Sequence, residues 1–121
     1  VATRILVDRP PPTLVSIWSL SHAESHWSSN ARVILRVHGE SLRGGALQYG
    51  WAVFPSMPSA EEALEQIGRR PTLASSLFTA QCRYYGTNVI AVSVRDERSR
   101  WSQPGFHEVW LDAKGSLAEA P

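Results

Sequence analysis

Apolar and polar side chains alternate with a period of two along much of this 121-residue chain. The clearest run is TNVIAVSVRD, residues 87–96, in which Ile90, Val92 and Val94 share one face and the intervening residues occupy the other. Such alternation predicts a β-strand, because successive side chains of a strand point to opposite faces of its sheet. Similar runs predict further strands at residues 13–18, 31–39, 46–54, 72–80 and 106–112.

One segment, FPSMPSAEEALEQIGRRP at residues 54–71, breaks this alternation. Ser59 followed three residues later by Glu62 forms a capping-box pattern, in which each side chain bonds the free backbone N–H of the other residue. Gly68 stands where a short helix would stop. The segment therefore predicts a helix of two turns over residues 60–67.

The predicted elements add up to about seven short strands and one small helix, with turn residues at intervals of roughly ten positions. The long connections at residues 19–30 and 55–71 suit Greek-key crossings between two sheets. We therefore predict an all-β fold, an immunoglobulin-like β-sandwich with one short loop helix, and we keep a closed β-barrel as the alternative.

The two ends of the chain differ from its middle. RILVD at residues 4–8 predicts a short strand, and the three prolines at residues 10–12 make the following segment stiff and extended. We interpret residues 1–9 as a strand or linker from a preceding module, residues 10–112 as the β-sandwich, and residues 113–121 as a C-terminal linker or tail. RILVDRPPP and VWLDAKGS both end an apolar run with Asp, which favours tandem copies in a longer protein.

Composition argues against several classes of function. The net charge of +1 provides no field that would attract nucleic acid or an anionic membrane. No apolar run reaches the roughly 18 residues that a membrane span needs. A single cysteine, Cys82, cannot form an intrachain disulfide and is expected to pack as a small apolar side chain. We therefore expect neither nucleic-acid binding nor direct membrane insertion.

Four stretches resemble fibronectin type III-like and related bacterial immunoglobulin-like domains. GTNVIAVSVRDERSRWSQPG at residues 86–105 is similar to the family's strand of alternating valines and its V-R-x-x-D/N turn. LQYGWAVFPSMPS resembles the family's strand that carries a Tyr and ends at a proline. IGRRPTLASSLFTA resembles the family's return strand, and PPPTLVSIWSLSHAESHWSSN resembles its opening P-P-x-V segment. The likeness covers residues 10–112 and implies a β-sandwich module of a larger surface protein.

One departure from that family concerns a tyrosine. Asn88 stands where the family often has a Tyr before the alternating run, so Tyr84 or Tyr85 would have to supply any tyrosine corner. The pair Trp101-Ser102 also resembles half of the W-S-x-W-S motif of class I cytokine receptors. That second resemblance would imply a membrane-proximal receptor domain.

Aromatic and cationic residues meet in the turn of the same hairpin. Trp101 lies close in sequence to Arg95, Arg98 and Arg100. A guanidinium group on a tryptophan face contributes about 0.5–1 kcal/mol when the pair is exposed. We favour a ladder of such contacts that stiffens the hairpin. The alternative is that Trp101, Arg98 and Arg100 form a patch that binds a protein partner.

The Ser-rich loop at residues 19–31 holds a second group of candidates. His22, Glu24 and His26 alternate, so an extended loop would place all three on one side, where a metal ion could bind. No further ligand can be placed from the sequence, and we expect neither a metal nor a cofactor.

Trp18 and Trp27 bracket that loop. Burial in the core is the more common use of a tryptophan in such a fold. If the two rings are exposed instead, they suit a sugar or the centre of a protein interface, together with His22 and His26.

No catalytic arrangement is recognisable, since the chain has no G-x-S-x-G, no Gly-rich phosphate loop and no H-E-x-x-H. We expect a non-catalytic structural or interaction module of a larger extracellular, cell-surface or periplasmic protein, with a role in spacing, adhesion or assembly. Its partners would be other protein domains, in particular neighbouring modules. The alternative is a ligand-recognition module that binds carbohydrate or a protein through its loop aromatics.

Overall fold

Seven strands and one helix are described by a computed structural model, which covers residues 11–41 and 45–112. In chain order they are β1 (Thr13–Ser19), β2 (Trp27–Ser28), β3 (Arg32–Glu40), β4 (Gln48–Phe54), α1 (Ala60–Gly68), β5 (Leu77–Gln81), β6 (Gly86–Arg95) and β7 (Gly105–Leu111). The prediction of an all-β chain with one short helix is confirmed. The interpretations of residues 1–9 and 113–121 lie outside the described residues.

The strands form two sheets. The three-stranded sheet has the order β1-β3-β5, and the four-stranded sheet has the order β2-β7-β6-β4. The pair of β2 and β7 is parallel, and the remaining pairs are antiparallel. Among the described strands, each connection from β1 to β6 passes from one sheet to the other, and β6 and β7 form a hairpin.

The two sheets pack face to face through their alternating apolar residues. Burial of one such side chain stabilises the fold by about 1.5–3 kcal/mol, so this alternation determines which faces meet. The prediction that Ile90, Val92 and Val94 share a face is confirmed. The shared cluster includes Val33, Leu35 and Val37 of β3, Ile90, Val92 and Val94 of β6, and Val109 and Leu111 of β7.

Helix α1 covers part of the outer face of the four-stranded sheet. Its buried residues Ala63 and Ile67 join a second apolar cluster with β4 and β6. Gly50 of β4 permits this close approach, because a Cβ at that position would lie 2.5 Å from Cγ2 of Ile67. The sheet contributes Ala52, Phe54, Val89 and Ala91 to this cluster.

The start of α1 follows the predicted capping pattern in part. Oγ of Ser59 accepts a hydrogen bond from the backbone N–H of Glu62 at 3.1 Å. The reciprocal bond from the Glu62 side chain is absent from the described part of the chain. Because α1 ends at Gly68, the predicted range of residues 60–67 is one residue short.

Strand β1 departs from the predicted alternation. Its pairing with β3 is irregular between Leu14 and Ser16, which shifts the pattern by one residue. As a result Leu14 and Ile17 both pack against the core. The regular alternation predicted for residues 13–18 would place these two side chains on opposite faces, so that prediction is wrong for this strand.

Two other segments differ from their predictions. Trp27–Ser28 forms a short strand inside the region predicted as a loop. The strand predicted over residues 72–80 forms only at Leu77–Gln81. Before it, Oγ of Ser75 bonds both the backbone C=O and the N–H of Leu77, and this local turn competes with strand pairing.

Asn88 closes the connection between β5 and β6. Its side chain is fully buried, and its Oδ1 accepts hydrogen bonds from the backbone N–H groups of Arg83 and Tyr84 at 3.0 and 2.9 Å. Its Nδ2 donates to the carbonyl oxygens of Tyr84 and Gly86. One asparagine therefore holds the connection between β5 and β6 in place.

Candidate functional site

The outer face of the three-stranded sheet exposes large apolar side chains. Trp18 of β1 lies opposite Arg36 of β3, which lies opposite Leu77 of β5, so one row of side chains crosses the sheet. Trp18 is 48% exposed, and Ile34, one row further along β3, is 38% exposed. These four residues and Arg32 are termed the three-stranded face.

The alternation of β3 places both arginines on this face. Because every second residue of β3 points into the core, Arg32, Ile34 and Arg36 point outward. No acidic side chain among the described residues forms an ion pair with Arg32 or Arg36. The face therefore combines exposed apolar area with two uncompensated positive charges.

A second aromatic surface lies at the β2 edge of the four-stranded sheet. Trp27 of β2 pairs with Trp110 of β7, and the ring centroids are 5.5 Å apart with planes tilted by 59°. Nε1 of Trp110 donates to Oε2 of Glu108 at 2.5 Å. Oε2 of Glu24 accepts from the backbone N–H of Glu108 at 3.4 Å. These four residues, termed the tryptophan edge, place two carboxylates beside an aromatic pair.

The two surfaces lie on opposite sides of the molecule. Val109 and Leu111 of β7 are buried between the sheets, so Trp110, which stands between them, points to the outer face of the four-stranded sheet. The three-stranded face looks outward from the other sheet. Helix α1 packs on β4 and β6 and contributes its buried residues to neither surface.

The histidines of the Ser-rich loop do not form one site. Buried His22 donates from Nε2 to the Asn30 carbonyl at 2.7 Å, and its Nδ1 accepts from Ser21 Oγ at 2.6 Å. Exposed His26 donates from Nδ1 to the Glu24 carbonyl at 2.7 Å. No group of three potential metal ligands occurs in the described part of the chain. His22 therefore supports the loop, while His26 stands beside the tryptophan edge.

Both tryptophans that bracket this loop are exposed. Trp27 is 59% exposed, more than Trp18, so the expectation that such rings are buried is wrong for both. They lie on different surfaces and do not act together. The role of Trp110 was not recognisable from the sequence, because the pairing of two-residue β2 with β7 leaves no periodic signal.

Asp96 holds the turn between β6 and β7. Its Oδ1 accepts from the backbone N–H groups of Arg98 and Arg100, and its Oδ2 lies 2.9 Å from Nη2 of Arg100. Burial acts to raise the pKa of Asp96, but these hydrogen bonds and the charge of Arg100 together lower it below its ordinary value. Ser99 adopts a positive φ of 63° within the turn.

Trp101 packs on the second apolar cluster, under the hairpin. It is half-buried, and the guanidinium of Arg95 lies 5.6 Å from its ring centroid. Nη2 of Arg95 also donates to Oε1 of Gln48. Of the predicted ladder, the structure forms the Arg95 contact, while Arg100 bonds Asp96 and Arg98 is exposed. These contacts are those of a stiffened hairpin.

An open groove of about 400 Å³ runs along the edge of β4. Its walls come from the end of β4, from α1 and from the connection between β5 and β6. The groove has no residue in common with the three-stranded face or the tryptophan edge. It is lined by Ala52, Val53, Phe54, Glu62, Gln66, Arg69, Arg70, Arg83 and Tyr84.

Two titratable groups are buried inside the fold. Burial raises the pKa of the Cys82 thiol to about 12, so the thiol stays protonated and unreactive at neutral pH. Burial also lowers the pKa of His107, although the charge of Glu24 and a hydrogen bond with the His22 backbone oppose that shift. Nε2 of His107 has no hydrogen-bond partner among the described residues.

The chain matches no protein-family model, no curated protein and no solved structure. Within residues 11–41 and 45–112, no helix has the length and apolarity needed to cross a bilayer.

Proposed function

We propose that this chain is a non-catalytic interaction module of a larger extracellular, cell-surface or periplasmic protein, with an immunoglobulin- or fibronectin type III-like β-sandwich fold. Two facing sheets and the resemblance of residues 10–112 to that family support the fold. The module serves assembly or adhesion by contacting neighbouring modules of its own kind. Exposed apolar area rimmed by charges is typical of protein interaction surfaces.

The observation that carries this proposal is the opposite charge of the two aromatic surfaces. The three-stranded face has two arginines that form no ion pair with the described residues, and the tryptophan edge has two glutamates. Because the surfaces lie on opposite sides of the molecule, the face of one copy can meet the edge of the next. Apolar area then meets apolar area, and each charge meets its opposite. Such a head-to-tail contact links modules into a row.

Charge exchange between the two surfaces tests this contact. The face variant carries Arg32→Glu and Arg36→Glu, and the edge variant carries Glu24→Arg and Glu108→Arg. In either variant alone, like charges oppose each other, so each is expected to associate less than the unmodified protein. An equal mixture restores opposite charges and is expected to associate again. Sedimentation velocity at rising protein concentration, in low and high salt, measures both effects.

Circular dichroism and thermal unfolding of both variants provide the control for folding. Two results would overturn the proposal. One is that the unmodified protein and the mixture both remain monomeric up to about 1 mM, a concentration at which even weak specific contacts are populated. The other is association that neither charge exchange alters.

A second candidate function is carbohydrate recognition at the tryptophan edge. The exposed ring of Trp27 stands beside the carboxylates of Glu24 and Glu108, and a sugar can stack on such a ring while its hydroxyls bond the carboxylates. Titration of a glycan panel against tryptophan fluorescence tests it. Trp27→Ala is expected to abolish the response and Trp18→Ala to leave it unchanged. Equal responses of the two variants, or none from the unmodified protein, would rule it out.

A further inference from the structure

Strand β4 forms the edge of the four-stranded sheet on the side away from β6. The N–H and C=O of Tyr49 both bond Leu73, each at 2.8 Å, and so point away from β6. In a strand, every second residue directs its backbone groups to the same side. Those of Trp51 and Val53 therefore point to the open edge as well. Among the described residues, nothing bonds their outward N–H and C=O groups.

The groove of about 400 Å³ lies along this open part of β4. Val53 and Phe54 form one wall, and Gln66 of α1 and Tyr84 of the following connection lie around it. A chain added as a strand runs about 4.8 Å from its neighbour. An extended segment seated in this groove therefore comes within hydrogen-bond reach of the free backbone groups of Val53.

The groove carries a net positive charge. Arg69, Arg70 and Arg83 line it, against the single carboxylate of Glu62. The guanidinium of Arg70 stacks 4.0 Å above the ring of Trp51, which places a cation beside a side chain of the edge strand. No acidic side chain in the described part of the chain pairs with Arg83.

Arg69 is partly compensated. Its Nη2 pairs with Oε2 of Glu65 one turn earlier in α1, at 3.1 Å, and both side chains are exposed. Such an exposed pair is worth little and is easily exchanged for another partner. Arg70 and Arg83 therefore supply most of the positive charge that is available to a bound segment.

We propose that this edge binds an extended acidic peptide segment of a partner protein, which adds to the four-stranded sheet beside β4. Backbone bonds to Trp51 and Val53 hold the segment, and its carboxylates face the arginines of the groove. This site and its partner differ from the contact between modules proposed above.

Charged residues beside an open edge have another use, which is to prevent strands from pairing unspecifically. That use predicts repulsion of every added strand. The proposed site instead predicts selection, since acidic segments bind and basic ones do not. The two uses give opposite results with the same peptides.

The test uses three capped octapeptides and the isotope-labelled protein. The first alternates Val and Glu, the second alternates Val and Lys, and the third is the first with methylated nitrogens at alternate residues. The Val-Glu peptide is expected to shift the amide resonances of Trp51 and Val53 and to slow their hydrogen exchange. The other two are expected to bind at least about fivefold more weakly, since they lose the charge match or the backbone bonds.

A matched pair of variants locates the charge. Arg83→Ser is expected to weaken binding of the Val-Glu peptide about three- to fivefold. Arg98 is an exposed arginine in the distant hairpin turn, so Arg98→Ser is expected to leave binding unchanged. The proposal is overturned if the Val-Glu peptide does not bind, if methylation has no effect, or if the shifts fall on the three-stranded face. Amide spectra of both variants confirm folding.

Discussion

The outer faces of the two sheets differ in what covers them. On the four-stranded sheet, Val89 and Ala91 lie under α1 and are buried, whereas on the three-stranded sheet Ile34 remains 38% exposed. The strands beneath α1 present small outer side chains, such as Gly50 and Ala91, and the helix fits into that space. Strand β3 instead presents arginines on either side of Ile34. An apolar helix cannot cover them without burying charge.

The same two-residue alternation therefore has two outcomes in this fold. Beneath α1, the outward residues of β4 and β6 extend the core by a third layer. On β3, the outward residues remain available to a partner. Substitutions beneath α1 should therefore change the free energy of unfolding. Substitutions on the three-stranded face should change the association of one molecule with another.

The largest effect is expected for Ile67→Ala. Ile67 is fully buried between α1 and the sheet, so its truncation removes buried apolar contacts and leaves a cavity. We expect a loss of about 3 kcal/mol in the free energy of unfolding, measured by urea denaturation. A loss below about 1 kcal/mol would mean that α1 is not an integral part of the fold.

Gly50→Ala should follow. The new Cβ would lie 2.5 Å from Cγ2 of Ile67 and 3.0 Å from the ring of Trp101, so the helix or the hairpin must move. We expect a loss of about 2 kcal/mol by thermal unfolding. Gly68→Ala is the matched control, because no atom lies within 4 Å of its added Cβ. Equal losses at both positions would contradict the close approach.

Ser59→Ala removes the hydrogen bond that begins α1. Without it one backbone N–H of the first turn loses its partner, so we expect a loss of about 1 kcal/mol. Ser56→Ala, in the exposed segment before the helix, should leave the unfolding midpoint unchanged. If both variants unfold like the unmodified protein, α1 is held in place by its packing on the sheet and not by the hydrogen bond of Ser59.

The smallest effect on stability is expected for Ile34→Ala. It is the same substitution as Ile67→Ala, made on the three-stranded face instead of under α1. Ile34 keeps much of its surface in solvent, so its truncation should cost about 0.5 kcal/mol. Sedimentation velocity should show weaker association of the same variant, because the three-stranded face loses apolar area. A stability loss as large as that of Ile67→Ala would show that this face is covered in solution.

The core was predictable where the alternation was regular. In β6 the residues that share the inner face were found from their spacing alone, because an internal strand of a two-sheet fold must bury one face. The prediction failed at β1, where an irregularity between Leu14 and Ser16 has no signature in the sequence. It failed again at Trp27–Ser28, because two residues are too few to show a period.

The sites were harder to predict because they depend on distant pairings. Trp27 and Trp110 meet through parallel pairing of β2 with β7, across more than half of the chain. The contact of Asp96 with Arg100 spans only four residues, yet it was not predicted, because Trp101 stands beside Arg100 as a competing partner. The hydrogen bond of Ser59 at the start of α1 could be inferred, because it follows a known local pattern, whereas contacts between remote segments could not.

By itself, the sequence determined the strand type, the inward faces of the central strands and the position of the helix, because each follows from the period and capping of a few neighbouring residues. The tertiary structure decided which outer face α1 covers, which tryptophans stay exposed and where an edge remains open. Those outcomes depend on how segments far apart in sequence share a limited volume, and no local pattern encodes that.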